Sequence, residues 1–84
     1  MEKDVNITLS NDEALVLFEC LARFEDTDEF TFKHAAEYLA LLKVSAQLEK
    51  SLVEIVKPDY LNLLSLAREK VASGFQGIVP GMKN

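Results

Sequence analysis

His34 and Glu37 stand three residues apart, the spacing at which an imidazole and a carboxylate on one helix face can share a metal ion. A protein metal site takes three or four ligands, however, and the chain has one histidine, one cysteine and no His-Glu-x-x-His run. No metal or cofactor ligand is assigned, and His34 is read as a polar residue opening a helix. Asp26 and Asp28 resemble the first ligands of a calcium loop, yet Phe30 and Thr31 stand where such a loop needs its next carboxylate and its glycine. Cys20 would need a neighbouring base and an electropositive setting to act as a nucleophile. It lies between Glu19 and Leu21 on a helical stretch and is read as a packing residue. Carboxylate pairs are plentiful, but acid–base work requires one of them to be desolvated beside a substrate cleft, and most acids here fall in turns or on polar helix faces. With no glycine-rich phosphate loop and no Ser/His/Asp set, no catalytic residue is assigned and the chain is not read as an enzyme.

Whatever these side chains do, one small domain must position them. The sequence has 84 residues, 49% hydrophobic, with a formal charge of -5, which suits one small soluble domain and excludes collagen-like, low-complexity and wholly disordered classes. A single cysteine gives no disulfide framework, so a reducing, cytoplasmic location is expected. The N-terminus lacks a basic start followed by an apolar run, and no apolar stretch approaches the ~18 residues of a membrane span, so neither a secretory signal nor a membrane partner is expected. Charge is unevenly placed: residues 1–30 hold nine acids against two bases, and residues 31–84 hold five acids against seven bases. The bases are scattered singly, which argues against nucleic acid as a partner. The acidic run Glu25, Asp26, Asp28 and Glu29 is a solvated loop or, functionally, a candidate face for a basic protein partner.

Val5, Ile7 and Leu9 alternate with Asp4, Asn6 and Thr8, the period-two pattern of a half-buried strand, which Phe30-Thr31-Phe32 is expected to pair as a two-stranded ribbon. Ser10 and Glu13 then form a Ser-x-x-Glu capping box, with Asp12 and Glu13 suited to the positive end of a helix dipole. From Asn11 to about Glu25, the residues Ala14, Leu17, Phe18, Leu21 and Phe24 share one helical face. A second, long helix is expected from about Lys33 to Val56, where no Gly or Pro intervenes. It is broadly apolar: Tyr38, Leu41, Leu48, Leu52 and Ile55 form one stripe and Leu39, Leu42, Ala46, Val53 and Val56 a second. Such a helix is either central or shared between subunits. Pro58 separates it from a third helix, Pro58 to about Ser73, whose inner face is Tyr60, Leu63, Leu64, Ala67 and Val71, with Leu61 and Leu66 outside that face and Gly74 as a left-handed C-cap. Residues 1–73 thus read as one compact α+β domain, mostly α, and residues 74–84 as a Gly/Pro-containing tail.

The stretch Leu9-Ser10-Asn11-Asp12-Glu13-Ala14-Leu15-Val16-Leu17-Phe18-Glu19 resembles the opening of a group of short, uncharacterised bacterial proteins that begin Leu-Thr-Asn-Asp-Glu-Ala-Leu-Val-Leu-Phe-Glu. The likeness continues through Leu48-Glu49-Lys50-Ser51-Leu52-Val53-Glu54 and from Pro58-Asp59-Tyr60 to Ala67-Arg68-Glu69. The chain departs from the group in having no tryptophan and in placing Lys57 before Pro58, where an Asp cap is usual. The resemblance implies a bacterial origin and a compact α-rich fold, and carries no activity with it.

The apolar surface exceeds what three short helices bury in one core, so the leading functional expectation is a protein–protein interaction module that forms a homodimer through Tyr38, Leu41, Leu48, Leu52 and Ile55 of the second helix and Leu61 and Leu66 of the third. The alternative is an acidic neutralising protein, of the immunity or antitoxin kind, that binds a basic effector through residues 25–29. A small enzyme or ligand-binding domain is the third reading.

Overall fold

A computed structural model describes residues 3–27, 31–80 and 82. Three helices follow in order: α1, Asn11–Thr27; α2, Ala35–Ser51; and α3, Tyr60–Ala72, with a short 3-10 turn at Glu54–Val56 before α3. The start of α1 is the capping box read from the sequence. The Ser10 backbone N–H donates to Glu13 Oε1 at 2.8 Å, and the Glu13 N–H donates to Ser10 Oγ at 3.0 Å. Two N–H groups that the first turn leaves without an intrahelical partner are thereby satisfied.

His34 caps α2. Its Nδ1 accepts the Ala36 N–H at 2.9 Å, and Glu37 Oε1 accepts the Lys33 N–H at 2.9 Å. The pair considered as metal ligands is thus spent on backbone donors at a helix start. At the other end α2 stops at Ser51, short of the expected Val56, with no Gly or Pro to stop it. Leu52 leaves the helix at φ -98°, ψ 122° and enters the core at 4% exposure. Burying this leucine between α1 and α3 decides the boundary. The β-branched Val53, Ile55 and Val56 and the residue before Pro58 have little helix preference to oppose it. Helix α3 begins at Tyr60 rather than Pro58 and ends before Gly74, whose φ of 81° is the left-handed C-cap conformation expected there.

The fold is all-helical, and the α+β expectation is corrected: the described residues contain no strand. Residues 3–9 are exposed and belong to no helix or strand. Alternation specifies which way side chains point, and a strand also requires a second backbone to bond. Phe30 lies outside the described residues, and Phe32, its intended companion, packs its ring edge-on against Phe24 and Tyr38, at centroid distances of 5.2 and 5.9 Å. That aromatic contact ties the end of α1 to the start of α2 and leaves Phe32 serving a helix junction.

The central helix is α1, not the longer apolar stretch of α2. Every side chain from Ala14 to Cys20, and on through Ala22, is at least partly covered, because α2 packs on one side and α3 on the other. Both neighbours run antiparallel to it: Asp12 and Glu19 of α1 meet Lys70 and Tyr60 of α3, and Asn11 meets Glu54 just beyond α2. Leu15, Leu52, Leu64 and Ala67 form the core, with Phe18, Leu48, Ile55 and Leu63 packed around them. Leu15, the most deeply buried of these leucines, lay outside the α1 face expected from spacing. That face answered one packing partner, and α1 has two. No helix among the described residues is long and apolar enough to cross a membrane.

Candidate functional site: an open apolar face

The two sides of α1 differ chemically. On the α3 side, the Tyr60 hydroxyl donates to Glu19 Oε1 at 2.7 Å in a part-buried setting. Burial first, and then the adjoining carboxylate, push the Tyr60 phenol up to about 12. A perturbed titratable group often marks a reactive site. Here it joins α1 to α3, and Tyr60 does not line the groove on the α2 side. The Lys70 ammonium stands 4.0 Å from Asp12 at the other end of the same seam, both partly exposed, and such a pair adds little stability. Near the end of α2 the Asn11 side-chain amide donates to Glu54, whose carboxyl is held below its ordinary value by its own backbone N–H and then by Asn11.

On the α2 side the molecule is open. Between the segment carrying Val5, Ile7 and Leu9 and helix α2 lies a groove of about 560 Å³. Its floor is Ala14 and Leu17 of α1, and its far wall is Ala40, Val44 and Leu48 of α2, four residues apart and so on one stripe. Among the described residues that line it, Lys43 alone is charged. The lining is mainly apolar, with Asn6, Gln47 and Ser51 as its uncharged polar members. Among the described residues no three His, Cys, Asp or Glu side chains come together as metal ligands.

The residues expected to mediate self-association divide into two sets. Leu52 is core, Leu48 and Ile55 pack against the core, and Leu41 is half-buried, so most of that stripe is consumed inside the chain. Tyr38, Leu61 and Leu66 remain exposed, with Leu61 at 76%. They do not form one face. Leu61 and Leu66 are five positions apart on α3, about 140° around a helix of 3.6 residues per turn, and so project from opposite flanks of the buried Leu64–Ala67 face. Of the acidic set, Glu25 and Asp26 are exposed in the last turns of α1, and Asp28 and Glu29 lie outside the described residues.

Of the groove residues, Leu48 alone was singled out from sequence as part of a site. The period-two run Val5, Ile7, Leu9 was visible but was given to a strand. Val44 and Ala40 fell between the two stripes assigned to the second helix. The usable signal was the alternation itself, apolar on one side of a segment with nothing nearby in sequence to cover it.

Set against known proteins, the chain matches no family model, no curated protein and no solved structure. The likeness of residues 9–19 to short bacterial proteins therefore lends no functional argument, and function must be reasoned from the surface itself.

Proposed function

We propose that this protein is a non-enzymatic interaction module that self-associates through its uncovered apolar surface. The observation that carries the reading is area. The accessible surface is 7337 Å², whereas a folded monomer of 9.4 kDa is expected to expose about 5,000 Å², an excess of roughly 2,300 Å². The radius of gyration, 14.3 Å, is likewise above the ~12 Å expected for a globular domain of this length. The excess includes large apolar side chains: Val5, Ile7, Leu39, Val53, Leu61, Phe75 and Ile78 are all more than half exposed. A typical stable interface removes about 800 Å² from each partner; part of the surplus lies in residues 3–10 and 73–80, where every side chain is exposed.

Gel filtration with light scattering at two salt concentrations tests the reading. The expected result is a dimer that persists at high salt, because apolar contacts are not screened. A monomer at high micromolar concentration in both buffers would overturn it.

A further inference from the structure

We infer that His34 is a pH-sensitive clasp, whose neutral ring holds the first turn of α2 and whose protonated ring releases it.

The start of α2 has little else to hold it. Every residue from Lys33 to Ala40 is exposed, so tertiary packing, which supplies most helical stability in proteins, contributes little there. What fastens the turn is a pair of capping bonds: the Ala36 N–H donates to His34 Nδ1, and the Lys33 N–H donates to Glu37 Oε1, each at 2.9 Å. The backbone of His34 is extended, at φ -156° and ψ 147°, the conformation from which a capping side chain reaches back over the turn.

Histidine differs from the usual capping residues in one respect. Ser, Thr, Asn and Asp cap through an oxygen that accepts at neutral and mildly acidic pH alike. An imidazole accepts only through a nitrogen that carries no proton, and in the imidazolium both ring nitrogens are donors. Protonation therefore sets two donors, Nδ1–H and the Ala36 N–H, against each other. It also places a cation at the positive end of the helix dipole. The capped state excludes the proton, so the stability that the cap contributes is present at higher pH and lost as pH falls. Histidine is the side chain whose charge ordinarily changes between about pH 5 and 8, and His34 is the chain's one histidine.

The charged groups at this junction are Lys33 and Glu37 beside the ring, and Arg23, Glu25 and Asp26 in the last turns of α1, to which Phe32 ties the start of α2. The carboxylates attract an imidazolium and the two bases repel it. All five residues are exposed, and interactions between exposed charges are weak and screened by salt. Loss of the capping bond is therefore the dominant consequence of protonation. Release of the turn loosens Tyr38 from Phe32, whose ring also packs on the buried Phe24. Mild acidification opens the α1–α2 junction at that end and leaves the Leu15, Leu52, Leu64 and Ala67 cluster in place.

NMR of the full-length chain in a high-salt buffer, at about pH 7.5 and about pH 5.5, tests the clasp. As the His34 ring signals titrate, the Ala36 amide and the Cα shifts of Ala35–Glu37 are expected to move toward coil values. The ratio of helical to frayed first turn should fall about fivefold, the equivalent of the ~1 kcal/mol lost with an N-cap. His34→Asn, which accepts through an oxygen at both pH values, should keep the turn at both. His34→Ala should show the frayed turn at both. A first turn whose shifts ignore protonation of the ring, an equal acid response in His34→Asn, or a His34→Ala turn as helical as the wild type at about pH 7.5 would each overturn the inference.

Discussion

The α3 side of α1 and the α2 side of α1 are built from similar residues and end in different states. On the α3 side, apolar burial is reinforced by a hydrogen bond between Tyr60 and Glu19, and Leu64 and Ala67 are almost wholly covered. On the α2 side, Ser45 is buried and Leu48 packs against the core, while Ala40, Val44 and Gln47 line an open groove. Apolar content alone therefore does not settle which face becomes core. The face that is reached by two elements at once closes, as at Leu15 and Leu52, and the face bordered by residues 5–9, which belong to no helix or strand, stays open. The closed side carries stability, and the open side leaves Val5, Ile7 and Val44 uncovered.

Truncation should expose that division most sharply. Leu15→Ala, which empties the closed core, should cost about 2–5 kcal/mol in urea unfolding, and Val44→Ala on the open face should cost under ~0.5 kcal/mol when the protein is held dilute enough to be monomeric. Equal costs at the two positions would mean that the faces do not differ as described.

Tyr60→Phe sharpens the contrast from the polar side. Loss of the bond to Glu19 should cost about 1 kcal/mol at pH 7. The linkage has a definite sign. The folded phenol, raised to about 12 from an ordinary 10.0, keeps its proton after the unfolded one has begun to lose it. The stabilisation is therefore complete below pH ~10 and is lost as pH rises toward ~12. Absorbance titration of the phenolate, together with unfolding at several pH values, checks this. A wild-type alkaline decline no steeper than that of Tyr60→Phe would contradict it.

Helix caps come next. Ser10→Ala removes one half of the α1 box, with an expected loss of ~1 kcal/mol by thermal melting. His34→Ala, at the cap of α2, should cost about as much if α2 is held by its own ends, and less if its first turn frays freely on the open side. The smallest effect is expected at Asp26. An exposed carboxylate in the last turns of α1 opposes the helix dipole, so Asp26→Asn should stabilise the chain by roughly 0.5 kcal/mol at low salt and less at high salt.

Signals carried by neighbouring residues were legible from the start. The Ser10–Glu13 box formed as read, because its atoms lie within one turn and need no tertiary partner. Gly74 took its positive φ for the same reason. The lone histidine served a helix start. Longer-range outcomes were not legible. The Val5–Leu9 alternation is a sound strand pattern, but strand formation depends on a second backbone, and the chain supplies none among the described residues. The α2 stripe named for self-association contained residues that a core would want equally, and spacing cannot tell a core leucine from an interface leucine.

Taken alone, the sequence determined that the chain would be mainly helical, where α1 begins, that Gly74 closes α3, and that apolar surface would be in excess. These follow from dihedral preference, local hydrogen bonding and composition, which act within a few residues. Only the tertiary structure decided that α1 is central, that Leu52 ends α2 by entering the core, and that Val5 and Ile7 line an open groove with Ala14, Leu17 and Val44. Those outcomes depend on which faces meet, and burial energy follows area removed from water without regard to which element supplies it.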